Sequence, residues 1–186
     1  MRRHRIRTLI AGLGLASAFW VIPAPAGASP PGPGEAVHIT VPFFAQEDQG
    51  CGPAALASVL AYLGHAVSLE ELTEEMVHPK LKGTLPMDLE YAARKRGLRA
   101  ESFSGGLEDL HARMREKQPV IAFVNLLSPA FPKGHFVVVT GYDREAGIII
   151  AHNGKKRDEA IPVKKFIKAW KKTDYWTLAL QSEERS

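Results

Sequence analysis

The spacing of hydrophobic residues changes partway along the chain, and this change restricts the possible folds more than any other feature. Up to about residue 117 the apolar residues recur mostly at helical spacing, whereas later segments are short apolar runs divided by turn residues. Helices followed by strands favour an α+β fold over an alternating, doubly wound sheet. Helices are predicted at 53–63, 69–77, 86–96 and 107–117, and strands at 98–103, 120–127, 135–142, 147–152 and 175–180. Residues 38–44 are predicted to form a short strand or an extended lead-in, and residues 161–170 a short amphipathic helix or turn.

The first predicted helix has the composition of a buried central helix. It is rich in alanine and apolar on most faces, and it begins at Pro53 and ends before Gly64, the positions that these residues prefer at helix ends. The second helix follows Ser68 and Glu71, whose spacing is that of a capping box. The sequence contains no internal repeat, and we expect a single domain over residues 38–182.

The N-terminal residues have the features of a secretory signal peptide. Residues 1–7 contain four arginines, residues 9–22 are predominantly apolar, and two small-x-small cleavage sites follow at Ala24–Ala26 and Ala26–Ala28. The apolar run of 14 residues is shorter than the roughly 20 residues of a membrane-spanning helix, so cleavage is favoured over a retained anchor. We therefore expect a signal peptide at 1–28, a Pro/Gly-rich linker at 29–37 and a periplasmic or secreted mature protein.

Composition and charge exclude several classes of protein. With 45% hydrophobic residues and one cysteine, the 186-residue chain is neither disordered nor a disulfide-stapled scaffold. The four arginines of the signal peptide account for the whole formal net charge of +4. The remaining domain is balanced in charge, so we expect no nucleic-acid partner, since such proteins need a surplus of positive charge.

Cys51 is the candidate nucleophile. An unpaired cysteine in an exported protein is an inert buried thiol, half of an intermolecular disulfide or a reactive group. Pro53 places Cys51 at the N-terminus of the first helix, where free N–H groups and the helix dipole stabilise a thiolate. Gly50 and Gly52 leave the sulfur uncrowded. This context favours a reactive thiol.

A cysteine nucleophile needs an imidazole base and a group that orients it. His135 opens an apolar strand after a loop, and His152 at the end of the next strand is the rival base. Pairing of these strands as a hairpin would bring Asn153 beside His135, where it could accept the imidazole N–H. Gln46, five residues before Cys51, is a candidate oxyanion donor together with the Cys51 backbone N–H. His65, His78 and His111 are predicted to be surface residues.

Two blocks of sequence resemble a known family. They are Gln46-x4-Cys51-Gly-Pro-Ala-Ala-Leu and Gly134-His135-Phe-Val-Val-Val-Thr-Gly-Tyr-Asp143, and they are similar to the bacteriocin-processing, double-glycine leader peptidases, especially to exported stand-alone relatives. The resemblance implies a papain-like cysteine peptidase fold, in which the nucleophile helix packs on a C-terminal antiparallel sheet. It also implies that Cys51 is the nucleophile, His135 the base, Asn153 the orienting group and Gln46 part of the oxyanion hole.

The chain departs from that family in three ways. Gln46 is one residue nearer the cysteine, Gly50 replaces an acidic residue, and Asn153 stands where aspartate is usual, although papain itself uses asparagine. The larger members are fused to transporters, but this chain has no GxxxxGK[ST] phosphate-binding motif and no apolar span after the signal peptide.

The leading interpretation is an exported cysteine peptidase that hydrolyses amide bonds of a peptide or protein substrate without a cofactor. One alternative is an inactive peptidase-like module that binds a peptide or partner protein, which the neutral Asn153 makes credible. Another is a metal site formed by Cys51, His135 and His152, although no short ligand spacing supports it. Whether an accessory partner delivers the substrate is left open.

Overall fold

The computed structural model describes residues 35–46, 50–125 and 134–182. The predicted signal peptide and most of the predicted linker lie outside these residues. The helices are α1 (Cys51–Tyr62), α2 (Leu69–Met76), α3 (Pro86–Lys95), α4 (Leu107–Arg115) and α5 (Val163–Trp170). The strands are β1 (Ala36–His38), β2 (Leu98–Ser104), β3 (Val120–Asn125), β4 (Gly134–Asp143), β5 (Ile148–Asn153), β6 (Lys156–Pro162) and β7 (Trp176–Ser182).

The strands form one antiparallel sheet in the order β2-β7-β3-β4-β5-β6. Strand β3 pairs with the first half of β4, from Gly134 to Val139, and β1 pairs with its last three residues. The approach of β1 requires a glycine in β4, because a Cβ on Gly141 would lie 2.3 Å from the Val37 carbonyl oxygen. The α+β fold predicted from the sequence is confirmed.

Helix α1 is the central helix of the helical layer, as its composition predicts. Every residue from Gly52 to Leu60 is buried, and the helix packs against β4 and between α2 and α3. Burial of a large aliphatic side chain contributes about 1.5–3 kcal/mol, so the apolar faces of α1 hold it firmly on the sheet. The start of α2 is also as predicted, since the Ser68 hydroxyl accepts a hydrogen bond from the Glu71 backbone N–H at 3.2 Å.

Two differences from the predicted elements are found at strands. Strand β1 begins at Ala36, inside the predicted linker, and ends at His38, so residues 39–44 of the segment predicted as a short strand or extended lead-in lie outside the strand. Strand β6 was not predicted, because its charged and polar first half does not alternate cleanly. The last two residues of the strand predicted at 120–127 lie outside the described residues.

Candidate active site

Cys51 is the first residue of α1, and its side chain is partly buried. The helix cap, Gly50, has no side chain to accept from the free N–H groups of the first turn, so these donors remain directed toward the cysteine end of the helix. The next residue must also be small, because a Cβ on Gly52 would lie 2.8 Å from Thr84. The glycines flanking the cysteine therefore serve both the thiol and the packing against Thr84.

A small cavity lies beside Cys51. Its volume is about 10 Å³, on the order of one water molecule. Two of the predicted site residues, Cys51 and Gln46, line it together. The other lining residues are Phe43, Phe44, Ala54, Ala55, Phe136, Val138, His152 and Gly154.

His135 and Asn153 are joined by a hydrogen bond. The distance from His135 Nε2 to Asn153 Oδ1 is 2.8 Å, so the hairpin of β4 and β5 does bring the two residues together. Each is followed in the chain by a residue that lines the cavity, His135 by Phe136 and Asn153 by Gly154. A Cβ on Gly134, the residue before His135, would lie 2.1 Å from the Phe123 ring, so a larger residue there would require that ring to move.

The amide of Asn153 has a defined orientation. Its Nδ2 donates to Glu159 Oε2 at 2.5 Å, and a carboxylate only accepts hydrogen bonds. The carbonyl Oδ1 therefore faces His135, whose Nε2 carries the proton that is donated. Glu159 also accepts from Lys156 Nζ at 2.6 Å. We call His135, Asn153, Glu159 and Lys156 the site network.

His152, the rival base, is engaged in a different network. Its side chain is only 4% exposed, and its Nε2 lies 3.1 Å from the Val41 carbonyl oxygen, to which it donates. Its Nδ1 accepts from the backbone N–H of Asp158 at 3.2 Å. Burial lowers the pKa of His152, and this effect outweighs the opposing hydrogen bond to Val41 and the nearby Asp158 carboxylate. The ring is thus neutral at pH 7, with both nitrogens occupied.

The Asp158 carboxylate links His152 to the surface. Its Oδ1 accepts from the Thr140 hydroxyl at 2.9 Å and lies 3.2 Å from Nε2 of the half-exposed His38. We call His152, Asp158, Thr140 and His38 the arm network, because it holds the segment 39–46, here termed the arm.

The arm carries Gln46 to the cavity and is held at several points. The Ile39 N–H donates to the Thr140 carbonyl at 2.7 Å, and the Gln46 N–H donates to the Gly154 carbonyl at 3.1 Å. Between these ends, the Phe43 ring packs edge-on against His152 with centroids 5.1 Å apart. The Gln46 side-chain oxygen lies 3.5 Å from the position of a Cβ on Gly154. The tip of Gln46 therefore lies beside the residue that follows Asn153.

Sequence reasoning missed Glu159 and the structural part played by His152. Both depend on strand β6, whose pairing with β5 shifts register between Ala151 and Asn153. Asp158, with φ of +46°, lies in this irregular segment, where left-handed backbone is typical of a β-bulge. A bulge displaces the cross-strand partners, so no simple hairpin count from Asn153 reaches Glu159.

The prediction that His111 is a surface residue was wrong. His111 is 3% exposed, and its Nδ1 lies 3.0 Å from Arg144 Nη1 while its ring packs on Tyr142. Burial, and then the positive charge of Arg144, lowers the pKa of His111. Helix α4 turns this residue toward the end of β4, on the apolar side of a helix in which half of the other residues are charged.

Comparison with known proteins identifies the family. The sequence profile of the Peptidase_C39 like family matches residues 38–177. This chain belongs to that family. The resemblance noted from the two sequence blocks is thereby confirmed, and the family supports a peptidase-type function. No curated protein sequence matches the chain.

Solved structures show the same C39 fold. A double-glycine motif protease from an AMS/PCAT transporter, in complex with a leader peptide, is 26% identical, with 79% of this chain and 95% of that chain covered and a TM-score of 0.63. A putative C39-like peptidase from Bacillus anthracis is 21% identical, with 81% and 100% covered and a TM-score of 0.65. The peptidase domain of Streptococcus ComA is 23% identical, with 76% and 98% covered and a TM-score of 0.62. The predicted papain-like peptidase fold is confirmed.

In the part of the chain that the structure describes, no group of three or more His, Cys, Asp or Glu residues is arranged to hold a metal ion. None of the described helices is long and apolar enough to cross a membrane.

Proposed function

We propose that the protein is an exported cysteine peptidase that hydrolyses peptide bonds with Cys51 as nucleophile and His135 as base. The observation that carries the proposal is the 2.8 Å hydrogen bond from His135 to Asn153. Their chain neighbours, Phe136 and Gly154, line a cavity together with Cys51 and Gln46. Export is supported by the signal-peptide features of residues 1–28. A peptide substrate is supported by the leader peptide bound to the double-glycine protease.

In the proposed reaction the Cys51 sulfur attacks the carbonyl carbon of the scissile bond. The side-chain amide of Gln46 and the Cys51 backbone N–H stabilise the oxyanion of the tetrahedral intermediate. His135 holds the thiol proton on Nδ1, because Asn153 occupies the Nε2–H, and then gives that proton to the leaving amine. Water, deprotonated by His135, releases the acyl group and restores the thiol.

The pH dependence of Cys51 alkylation tests the proposal without a known substrate. Iodoacetamide reacts with the thiolate, so a Cys51–His135 ion pair should give fast alkylation well below pH 8.5, the usual midpoint of a free thiol. The reaction is followed by mass spectrometry in the purified residues 29–186 and in His135→Ala. We expect the rate at pH 6.5 to fall at least about tenfold in His135→Ala.

His65→Ala is the matched control, because His65 is a partly buried histidine in the α1–α2 connection. It should leave the alkylation profile unchanged. A wild-type profile of an ordinary thiol, unaffected by His135→Ala, would contradict the proposal. The cleft would then bind peptides without cleaving them, and a fall caused by His152→Gln instead of His135→Ala would assign the base to His152.

A further inference from the structure

Asn153 raises a question of charge. In the proposed reaction His135 becomes an imidazolium when it takes the thiol proton, and a neighbouring anion stabilises that cation. Asn153 orients the ring but carries no charge. A negative group that acts on His135 must therefore come from another position in the fold.

Glu159 is that group. Its Oε2 accepts from the Asn153 amide at 2.5 Å, and the same amide accepts from His135 Nε2 at 2.8 Å. The three side chains thus form a continuous chain of hydrogen bonds, imidazole to amide to carboxylate. With its side chain 23% exposed, Glu159 is partly shielded from water, which preserves its effect on the neighbouring polar groups.

The charges around Glu159 keep it ionised. The hydrogen bond from Lys156 lowers the pKa of Glu159, the Asn153 amide lowers it further, and Lys165 of α5 adds a smaller attraction; burial opposes them. Lys156, with its side chain 68% exposed, lies 2.6 Å away on the Oε1 side. The other oxygen, Oε2, therefore remains for Asn153.

We propose that Glu159 is a positioning residue that acts on His135 through Asn153. It holds the amide so that Oδ1 faces the imidazole, fixes the proton on His135 Nε2, and supplies the negative charge that asparagine lacks. No proton moves along the chain of hydrogen bonds. This inference rests on the proposed function, in which His135 is the base.

The proposal makes the effect of an aspartate at position 153 depend on Glu159. In the wild-type background, Asn153→Asp would place two carboxylates within hydrogen-bond distance of each other. Two carboxyl groups this close repel each other when both are ionised, which raises the pKa of one of them. The change therefore lowers or leaves unchanged the reactivity of Cys51. With Glu159→Gln already present, the same aspartate restores the missing charge beside His135 and raises the reactivity.

The experiment compares wild type, Asn153→Asp, Glu159→Gln and the double variant by the pH profile of iodoacetamide alkylation. We expect Glu159→Gln to reduce the rate at pH 6 by about tenfold, the effect of moving a titration by one pH unit. Addition of Asn153→Asp to Glu159→Gln should recover most of that loss. Asn153→Asp alone should give no gain.

Glu145→Gln is the matched control, since Glu145 is an exposed glutamate in the turn between β4 and β5. It makes the same change in net charge and should leave the profile unchanged. If wild-type Cys51 has the reactive profile, the proposal is overturned when Glu159→Gln behaves like Glu145→Gln, or when Asn153→Asp has the same effect in both backgrounds.

A second measurement separates this proposal from the proposed function. NMR of the His135 ring nitrogens reports which nitrogen carries the proton, whether or not Cys51 is reactive. We expect the Nε2–H form in wild type, a mixture of both forms in Glu159→Gln, and a titration midpoint about one pH unit lower in that variant. An ordinary Cys51 thiol would refute the proposed function alone, and an unchanged ring in Glu159→Gln would refute the role of Glu159 alone.

Discussion

The β5–β6 hairpin carries two hydrogen-bond networks that interleave along its strands. His152 and Asn153 are neighbours on β5, and Asp158 and Glu159 are neighbours on β6. In the site network a carboxylate reaches an imidazole through an amide, as Glu159 does through Asn153 to His135. In the arm network the Asp158 carboxylate and backbone N–H lie directly against His152.

The difference between the two histidines shows how location decides what an imidazole does. His135 is partly buried at the start of β4, next to a cavity-lining residue. His152 is 5% exposed, and both ring nitrogens have backbone partners. Burial favours a neutral ring and outweighs the nearby Asp158 carboxylate, so His152 is suited to hold the arm. This contrast supports the proposal that His135 is the base.

Gln46→Ala should have the largest effect and should separate acyl transfer from thiol reactivity. Loss of one oxyanion donor lowers the rate of acyl transfer about 100- to 1,000-fold. Alkylation by iodoacetamide forms no oxyanion, so it should change less than about twofold. Release of p-nitrophenolate from an activated glycine ester measures the first rate, and mass spectrometry the second. Equal losses in both reactions would mean that Gln46 affects the reactivity of the Cys51 thiol and does not stabilise the oxyanion.

His152→Leu should break the arm network. It leaves the Val41 carbonyl and the Asp158 N–H without their partner, and each unsatisfied buried group costs about 1–3 kcal/mol. We expect the free energy of unfolding, from urea titration, to fall by about 2–4 kcal/mol. His152→Gln retains a side-chain donor and should lose less. If the two variants were equally stable, the hydrogen bond to Val41 would contribute nothing.

The pH dependence of stability should reveal the buried histidines. The pKa values of His111 and His152 are lowered by burial, so below about pH 6.5 the unfolded chain binds protons that the folded chain does not. The free energy of unfolding should therefore be highest above pH 6.5 and fall as the pH drops below it. The measurement is a series of urea titrations between pH 8 and pH 5.5. This range lies above 4.5, the usual pKa of glutamate, so that the histidines titrate and the glutamates do not. His152→Gln should show a smaller fall than wild type, and identical slopes would contradict this.

His38→Ala should have the smallest effect of the four changes. His38 lies 3.2 Å from Asp158 but its side chain is 45% exposed, and exposed ion pairs contribute about 0.2–1 kcal/mol at most. The free energy of unfolding and the rate of ester acylation should both stay close to wild type. A loss of acylation comparable to that in Gln46→Ala would show that the surface end of the arm network also controls Gln46.

The helices and most strands could be predicted from the sequence because their signals are local. Pro53 and Ser68 mark helix starts through backbone geometry and capping, which depend on a few adjacent residues. The position of Cys51 at a helix N-terminus could be predicted for the same reason, because the residues that follow it mark the start of the helix. The pairing of His135 with Asn153 required only one hairpin between two recognisable strands.

The parts that could not be predicted depend on non-local packing. Strand β6 has a charged first half, and it is held by pairing with β5 and by a bulge at Asp158, neither of which leaves a clear pattern in sequence. His111 lies in a helix of mixed polarity, so only the position of α4 against β4 shows that it is buried.

The sequence by itself determined the α+β class, the family resemblance and four candidate site residues, because periodicity, helix-end preferences and short motifs act over a few residues. The tertiary structure decided which imidazole is fully buried and which is only partly buried, since burial depends on distant elements. It also decided that the Glu159 carboxylate of β6 accepts a hydrogen bond from the Asn153 amide. That contact exists only because the bulged hairpin folds residue 159 back onto residue 153.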